Sequence, residues 1–107
     1  MSELTPLQRR YLRGRGHALK PVIQLGQHGL TAAVLAETQR ALADHELIKV
    51  RVQTGDRDTR DALIAALAAG SGSTLVGRIG HVALLFRPAA GLTRYPLPAP
   101  VPRQRQR

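Results

Sequence analysis

Gly26 and Gly29, with Gln27 and His28 between them, form the stretch of this chain best suited to hold an anion. Glycine has no Cβ and tolerates positive φ, so a backbone built from this tetrapeptide can turn sharply and come close to a ligand. A helical pattern opens directly afterwards, at Leu30-Thr31. The first N–H groups of such a helix lack intrahelical partners and would point at the same place, which suits phosphate. The other candidate chemistry is weaker. His17, His28, His45 and His81 are scattered, with no H-E-x-x-H spacing, and no serine sits in a G-x-S-x-G elbow. Asp56, Asp58 and Asp61 are close enough in sequence to hold a cation, but helix capping and pairing with Arg57 and Arg60 explain them better. The expectation is a binding protein rather than an enzyme, with no metal and no cofactor.

The charge balance names the class of ligand. Sixteen basic residues oppose seven acidic ones, for a formal net charge of +9, and fourteen of the sixteen are arginine. Arginine's planar fork matches phosphate and stacks on bases. The excess points to a polyanion, and nucleic acid is the first choice. With 107 residues there is room for one core. A chain of this size buries roughly 65% of its unfolded surface, enough to fold without staples. There is no cysteine, hence no disulfide or thiolate metal site, and no apolar run approaches the roughly 20 residues of a membrane span. The Met1-Ser2-Glu3-Leu4 start lacks the layout of a signal peptide. A cytoplasmic monomer with no membrane partner is expected.

The elements that must position the turn follow in order. Thr5, Pro6 and Gln8 have the layout of a capping box, opening a first helix that runs to about Arg13 before Gly14-Arg15-Gly16 stops it. Leu4, Leu7 and Tyr11 share its apolar stripe, bordered by Leu12, while Arg9, Arg10 and Arg13 lie largely away from it. With Arg15 and Lys20 they make a basic N-terminal face. Val22 to Leu25 reads as a short strand, and Leu30 to Asp44 as a second helix packed through Leu30, Val34, Leu35, Thr38, Ala41 and Leu42. Leu47 to Thr54 alternates, with Ile48, Val50 and Val52 on the packed side and Lys49, Arg51 and Gln53 on a wetter one. The two cations there either extend the candidate binding surface or belong to a solvated sheet face.

Thr59 to Ala69 is a third helix, with Ala62, Leu63, Ala66 and Leu67 as its stripe, Ile64 at the edge and Asp56 and Asp58 at its start. Thr74 to Ile79 and Val82 to Arg87 flank Gly80-His81 as a hairpin, and Gly77 marks a bulge or a close approach. Phe86 reads as core rather than as a base-stacking platform. From Pro88 the pattern collapses. Residues 1–90 are expected to fold and 91–107 to form a flexible Pro/Arg-rich tail. The order α-β-α-β-α-β-β predicts a small α/β domain with a mixed four-stranded sheet, parallel where helices intervene and antiparallel in the last pair.

Several of these segments also carry a resemblance. Leu19-Lys20-Pro21-Val22, then Leu25-Gly26-Gln27-His28-Gly29-Leu30-Thr31, His45-Glu46-Leu47-Ile48-Lys49-Val50 and the Ile79-Gly80 to Phe86-Arg87-Pro88 hairpin resemble the CRM domain family and its stand-alone bacterial YhbY-like members. The similarity spans about Thr5 to Pro88. It implies a fold like the C-terminal domain of translation initiation factor 3 and RNA binding with the G-x-x-G loop beside the RNA. It also implies association with ribosomal RNA in precursors of the large ribosomal subunit. Gly26 and Gly29 take the place of the loop glycines, with Gln27 and His28 where many relatives carry a basic residue. The candidate RNA-binding set is Gly26, Gln27, His28, Gly29, Lys20, Arg9, Arg10, Arg13, Arg15, Lys49 and Arg51. Neutralising about five phosphates with these groups would weaken affinity roughly a hundredfold or more between about 50 and 200 mM salt.

Overall fold

The computed structural model describes residues 4–53, 55–91 and 93–98. Along the chain lie α1 (Pro6–Gly16), β1 (Pro21–Leu25), α2 (Ala32–His45), β2 (Leu47–Val52), α3 (Arg57–Ser71), β3 (Thr74–Ile79) and β4 (Val82–Phe86). This is the expected order of elements. The sheet order is β1-β2-β4-β3. β1 and β2 pair in parallel, and β4 runs antiparallel to both β2 and β3. The crossover through α3 therefore sets β3 two positions from β2, and the hairpin returns β4 into the gap.

Period-two alternation divides the sheet's side chains between two cores. Ile23, Leu25, Ile48, Val50, Val52, Ala83 and Leu85 meet Leu42 of α2 and Ile64, Leu67 and Ala68 of α3 on one face. On the other, Leu47, Val76, Leu84 and Phe86 meet Leu12 of α1. Fully burying a side chain such as Phe86 or Leu12 contributes about 1.5–3 kcal/mol. The face of β2 expected to be wet is thus split: Leu47 is buried under α1, Lys49 is half-buried, and Arg51 is exposed. β2 stops at Val52, short of the expected Thr54, which lies outside the described residues.

Each of the three helices departs from its expected bounds, α1 through packing and α2 and α3 through capping. α1 continues to Gly16 because its last turn lies directly on β4: a Cβ on Gly16 would stand 2.9 Å from both Leu84 methyls. Leu12 is its anchor, whereas Leu7 is left 43% exposed. The predicted capping box is present, with the Gln8 N–H donating to Thr5 Oγ1 at 3.1 Å and the Thr5 N–H donating to Gln8 Oε1 at 3.0 Å. α2 starts at Ala32 because Thr31 is its cap, accepting the Val34 N–H at 3.1 Å. α3 starts at Arg57 because Asp56 caps it, accepting the Thr59 N–H at 2.8 Å, and it ends on left-handed Gly72. Its buried stripe is Ile64, Leu67, Ala68 and Ser71, while Ala62 and Ala66 face solvent. The real stripe is rotated from the expected one because α3 packs against both β3 and α2.

The chain after β4 also differs from expectation. From Gly91 it was expected to trail as a flexible tail, but residues 93–98 lie across the α1 side of the sheet. Tyr95 packs edge-on to Phe86 with centroids 6.3 Å apart, and Gln8 Nε2 donates to the Pro98 carbonyl at 3.0 Å. Leu97 joins the same core. Residues 99–107, including Arg103, Arg105 and Arg107, lie outside the described residues.

Candidate nucleic-acid interface

The Gly26–Gly29 turn stands open at the end of β1. The Gly29 N–H donates to the Gly26 carbonyl at 3.0 Å, closing a four-residue turn, and Gly26, Gln27 and His28 are exposed. Only one of the two glycines needs its conformational freedom. Gly29 has φ +67°, while Gly26 has a negative φ and open space where a Cβ would stand. No described group accepts the N–H of Gln27 or His28. The contribution expected from α2 is smaller than its sequence suggests: Thr31 already takes the Val34 N–H, leaving those of Ala32 and Ala33 at the exposed tip.

Hydrogen bonds stitch this turn to its neighbours. Gln53 donates its N–H to the Leu25 carbonyl at 3.0 Å, and Val52 donates to the His81 carbonyl at 2.8 Å. The turn, the end of β2 and the β3–β4 hairpin tip thus form one rim. Arg51 is opposite Gln24 in the sheet register, two residues before the turn begins.

A cleft of about 680 Å³ opens beside this rim, on the part of the sheet that α1 does not cover. Arg13, His17, Lys49, Arg51 and Arg78 line it, together with Pro21, Val82, Leu84 and Ile79. No lining residue is acidic. Each cation is held differently. The Arg13 stem crosses Gly77 so closely that a Cβ there would stand 3.4 Å from Arg13 Cδ. The sequence had marked Gly77 as a bulge or a close approach; it is both, since the β3 register shifts between Leu75 and Gly77. Lys49 Nζ donates to the His17 carbonyl at 3.3 Å. Arg78 Nε pairs with Asp61 Oδ1 at 2.7 Å, and its Nη1 donates to the Gly80 carbonyl at 2.6 Å, so its charge is partly spent within the fold. Among the described residues, the guanidinium groups of Arg13 and Arg51 have no hydrogen-bond or ion-pair partner.

The structure therefore gathers Arg13, Lys49 and Arg51 in one cleft, of which Arg51 stands nearest the turn, and sends the other candidates elsewhere. Arg9 is half-buried, and its Nη1 donates to the Leu75 and Val76 carbonyls at 2.7 and 2.8 Å, tying α1 to the bulged β3. It is a structural residue because β3 is an edge strand whose bulge leaves carbonyls to satisfy. Arg15 lies over the Tyr95 ring at 4.8 Å and the Tyr11 ring at 5.8 Å, and it donates to the Tyr11 hydroxyl at 2.9 Å. Lys20 lines a separate hollow of about 230 Å³ with His45 and Arg94. Arg10 is exposed outside the cleft. Three cleft residues were missed as site candidates. His17 is reached only through the unexpected last turn of α1. Arg78 and Ile79 read as ordinary hairpin residues, although an apolar residue directly before the Gly80-His81 turn was a usable signal.

The acidic residues serve the scaffold. Asp56 caps α3 and Asp61 holds Arg78, not the expected Arg57 or Arg60; Arg60 instead donates to the Gly55 carbonyl at 2.7 Å. Among the described residues, no group of three or more His, Cys, Asp or Glu side chains is placed to hold a metal ion.

Comparison with known proteins decides the family. The CRS1 / YhbY (CRM) domain model matches residues 4–87. The chain belongs to the CRS1/YhbY (CRM) domain family. A Haemophilus influenzae relative named as an RNA-binding protein is 44% identical over 89 residues, covering 83% of this chain and 90% of the relative. A Pseudomonas aeruginosa relative, also named for RNA binding, is 50% identical over 84 residues, covering 78% of this chain and 81% of its own length. The solution structure of a hypothetical Staphylococcus aureus protein superposes with a TM-score of 0.78 at 31% identity, covering 90% of this chain and all of that one. This CRM domain is thus a small α/β unit of the kind its resemblance implied, with three helices and a four-stranded mixed sheet among the described residues. None of its helices is long and apolar enough to cross a membrane, among the described residues.

Proposed function

We propose that this CRM domain binds structured RNA through the main chain of the Gly26–Gly29 turn and the cationic cleft beside it. One observation carries the reading: an exposed turn with unengaged amides shares a rim with Arg51, next to a cleft whose polar side chains are all basic or imidazole. Main-chain amides and guanidinium groups contact phosphate and sugar, which positions a protein without reading sequence. With Phe86 buried and Tyr95 packed on it, recognition led by helix shape and 2′-OH groups fits better than stacking along a single strand.

Names given to the relatives support RNA as the partner; that this RNA is ribosomal RNA in precursors of the large subunit, met in the cytoplasm by a monomer, is part of the proposal. Gradient sedimentation of cell extract tests the particle: the protein should travel with large-subunit precursors, and its absence from them removes the assembly role. Binding itself is tested by affinity for a structured RNA across a salt series. Three cleft cations neutralising three phosphates predict a loss of roughly fortyfold between about 50 and 200 mM salt. That is gentler than five phosphates would give, because Arg9 and Arg15 are engaged within the fold. A flat affinity contradicts the proposal.

A protein-interaction role for the proline-rich segment is less well supported. Tyr95 and Leu97 are packed on the domain's own core, so a partner groove would have to strip them away.

A further inference from the structure

The cleft has more than phosphate binding requires. Ile79 is 84% exposed, far above any other large apolar side chain described, and it lines the cleft together with Val82, Leu84 and the cations. A helical RNA stem laid over this surface would offer it phosphates and riboses, leaving the apolar lining unused. At about 680 Å³ the cleft falls in the range of small-molecule sites, about 300–1,000 Å³, and is too small for a duplex to enter. Its chemistry asks for a flat apolar plate carrying negative charge at its edge. Resting on the RNA-binding reading above, we propose that this cleft takes one unpaired nucleotide bulged out of the stem. The base lies against Ile79 and Val82, the Arg13 and Arg51 guanidinium groups flank it as stacking planes and phosphate ligands, and the turn holds the adjoining backbone. Recognition of a bulge would explain how a domain poor in exposed aromatics selects one site on a long RNA.

Affinity is measured by fluorescence anisotropy for one RNA hairpin with an uninterrupted stem and for the same hairpin carrying a single bulged adenosine or uridine. Wild-type protein is compared with Ile79→Ser, whose position is too exposed to threaten the fold. The wild type should prefer a bulged hairpin by roughly tenfold, within the range that one accommodated base contributes. Ile79→Ser should cut that preference below about threefold, weakening binding of the bulged hairpin more than binding of the uninterrupted stem. A bulge carrying 4-thiouridine should photocrosslink to the cleft, at Ile79 or His17. Equal binding of both hairpins by the wild type overturns the bulge proposal while leaving RNA binding intact. Binding of neither overturns both. Adenosine monophosphate binding as tightly as the bulged hairpin would make this a free-nucleotide site and overturn the proposal. So would poly-glutamate whose binding is as tight and is lost in Ile79→Ser.

Discussion

The Glu46 carboxylate accepts the backbone N–H of Arg94 at 3.0 Å, across 48 positions of the chain. It also accepts the Ala89 N–H at 3.1 Å and the Thr93 hydroxyl, and it is itself buried. One acidic side chain between α2 and β2 therefore fixes the segment that brings Tyr95 onto Phe86 and beneath Arg15. Glu46→Ala strands those donors and should cost about 2 kcal/mol. Thermal unfolding would read this as a drop of roughly 8–16 °C. Glu46 also has φ +66°, a left-handed value that side chains rarely adopt. Glu46→Gly loses the same carboxylate but relieves that conformation, so it should be about 1 kcal/mol more stable than Glu46→Ala.

Acid should loosen this segment. Burial pushes the Glu46 carboxyl up, but hydrogen bonds from Thr93, Arg94 and Ala89 and the nearby Arg94 charge together outweigh it, leaving the group below its ordinary 4.5. A carboxyl with a lower pKa folded than unfolded stabilises fully above the unfolded value and less as pH falls through the folded one. Denaturant unfolding should thus show stability falling with pH below about 4.5. Glu46→Gln should flatten part of that slope. The remainder belongs partly to Asp56, which is also lowered, chiefly by the Thr59 backbone hydrogen bond. An unchanged slope in Glu46→Gln would disprove the assignment.

Arg9 and Arg13 stand four residues apart on α1 and should fail in opposite assays. Arg9→Ala removes two bonds to β3 carbonyls and should lower stability by about 1–2 kcal/mol while leaving RNA affinity near wild type. Arg13→Ala should leave the melting temperature in place and reduce the log-log salt slope of binding by about 1. Paired melting curves and salt titrations separate the two.

The two turn glycines should also part company. Gly29→Ala forces a side chain into φ +67°, and should cost about 1–2 kcal/mol, with its Cβ in ordinary contact 3.6 Å from Leu63 Cδ2. Gly26 carries no such demand and faces open space. Gly26→Asp should therefore fold normally and bind RNA at least tenfold more weakly, because its carboxylate would stand where phosphate approaches. Normal affinity in Gly26→Asp would remove the turn from the interface.

Local patterns in the sequence carried the elements, because capping residues, alternation and turns act over a few positions: Thr5-Pro6-Gln8, Ile48-Val50-Val52 and Gly80-His81 all sit where their chemistry demands. What could not be read depends on long-range contact. Nothing near β4 says that it slips between β2 and β3. Arg9 looks like any solvated arginine until β3 is laid beside it. Glu46 carries no local sign of its partners, and the Pro-rich stretch looks free, because the bonds joining them span more than forty residues. The cleft was half legible. Lys49 and Arg51 followed from alternation, but their meeting with Arg13 needed α1 to continue over Gly14 and pack Gly16 on Leu84.

Titration of isotopically labelled protein with a structured RNA hairpin, followed by backbone amide NMR, tests most directly whether the turn and the cleft form one surface. The largest shifts should fall on Gln27, His28 and Gly29 together with Arg13, His17, Arg51 and Ile79. Shifts confined to the outer faces of α2 and α3, around Glu37, Arg40 and Arg57, with the turn and cleft silent, would contradict the account.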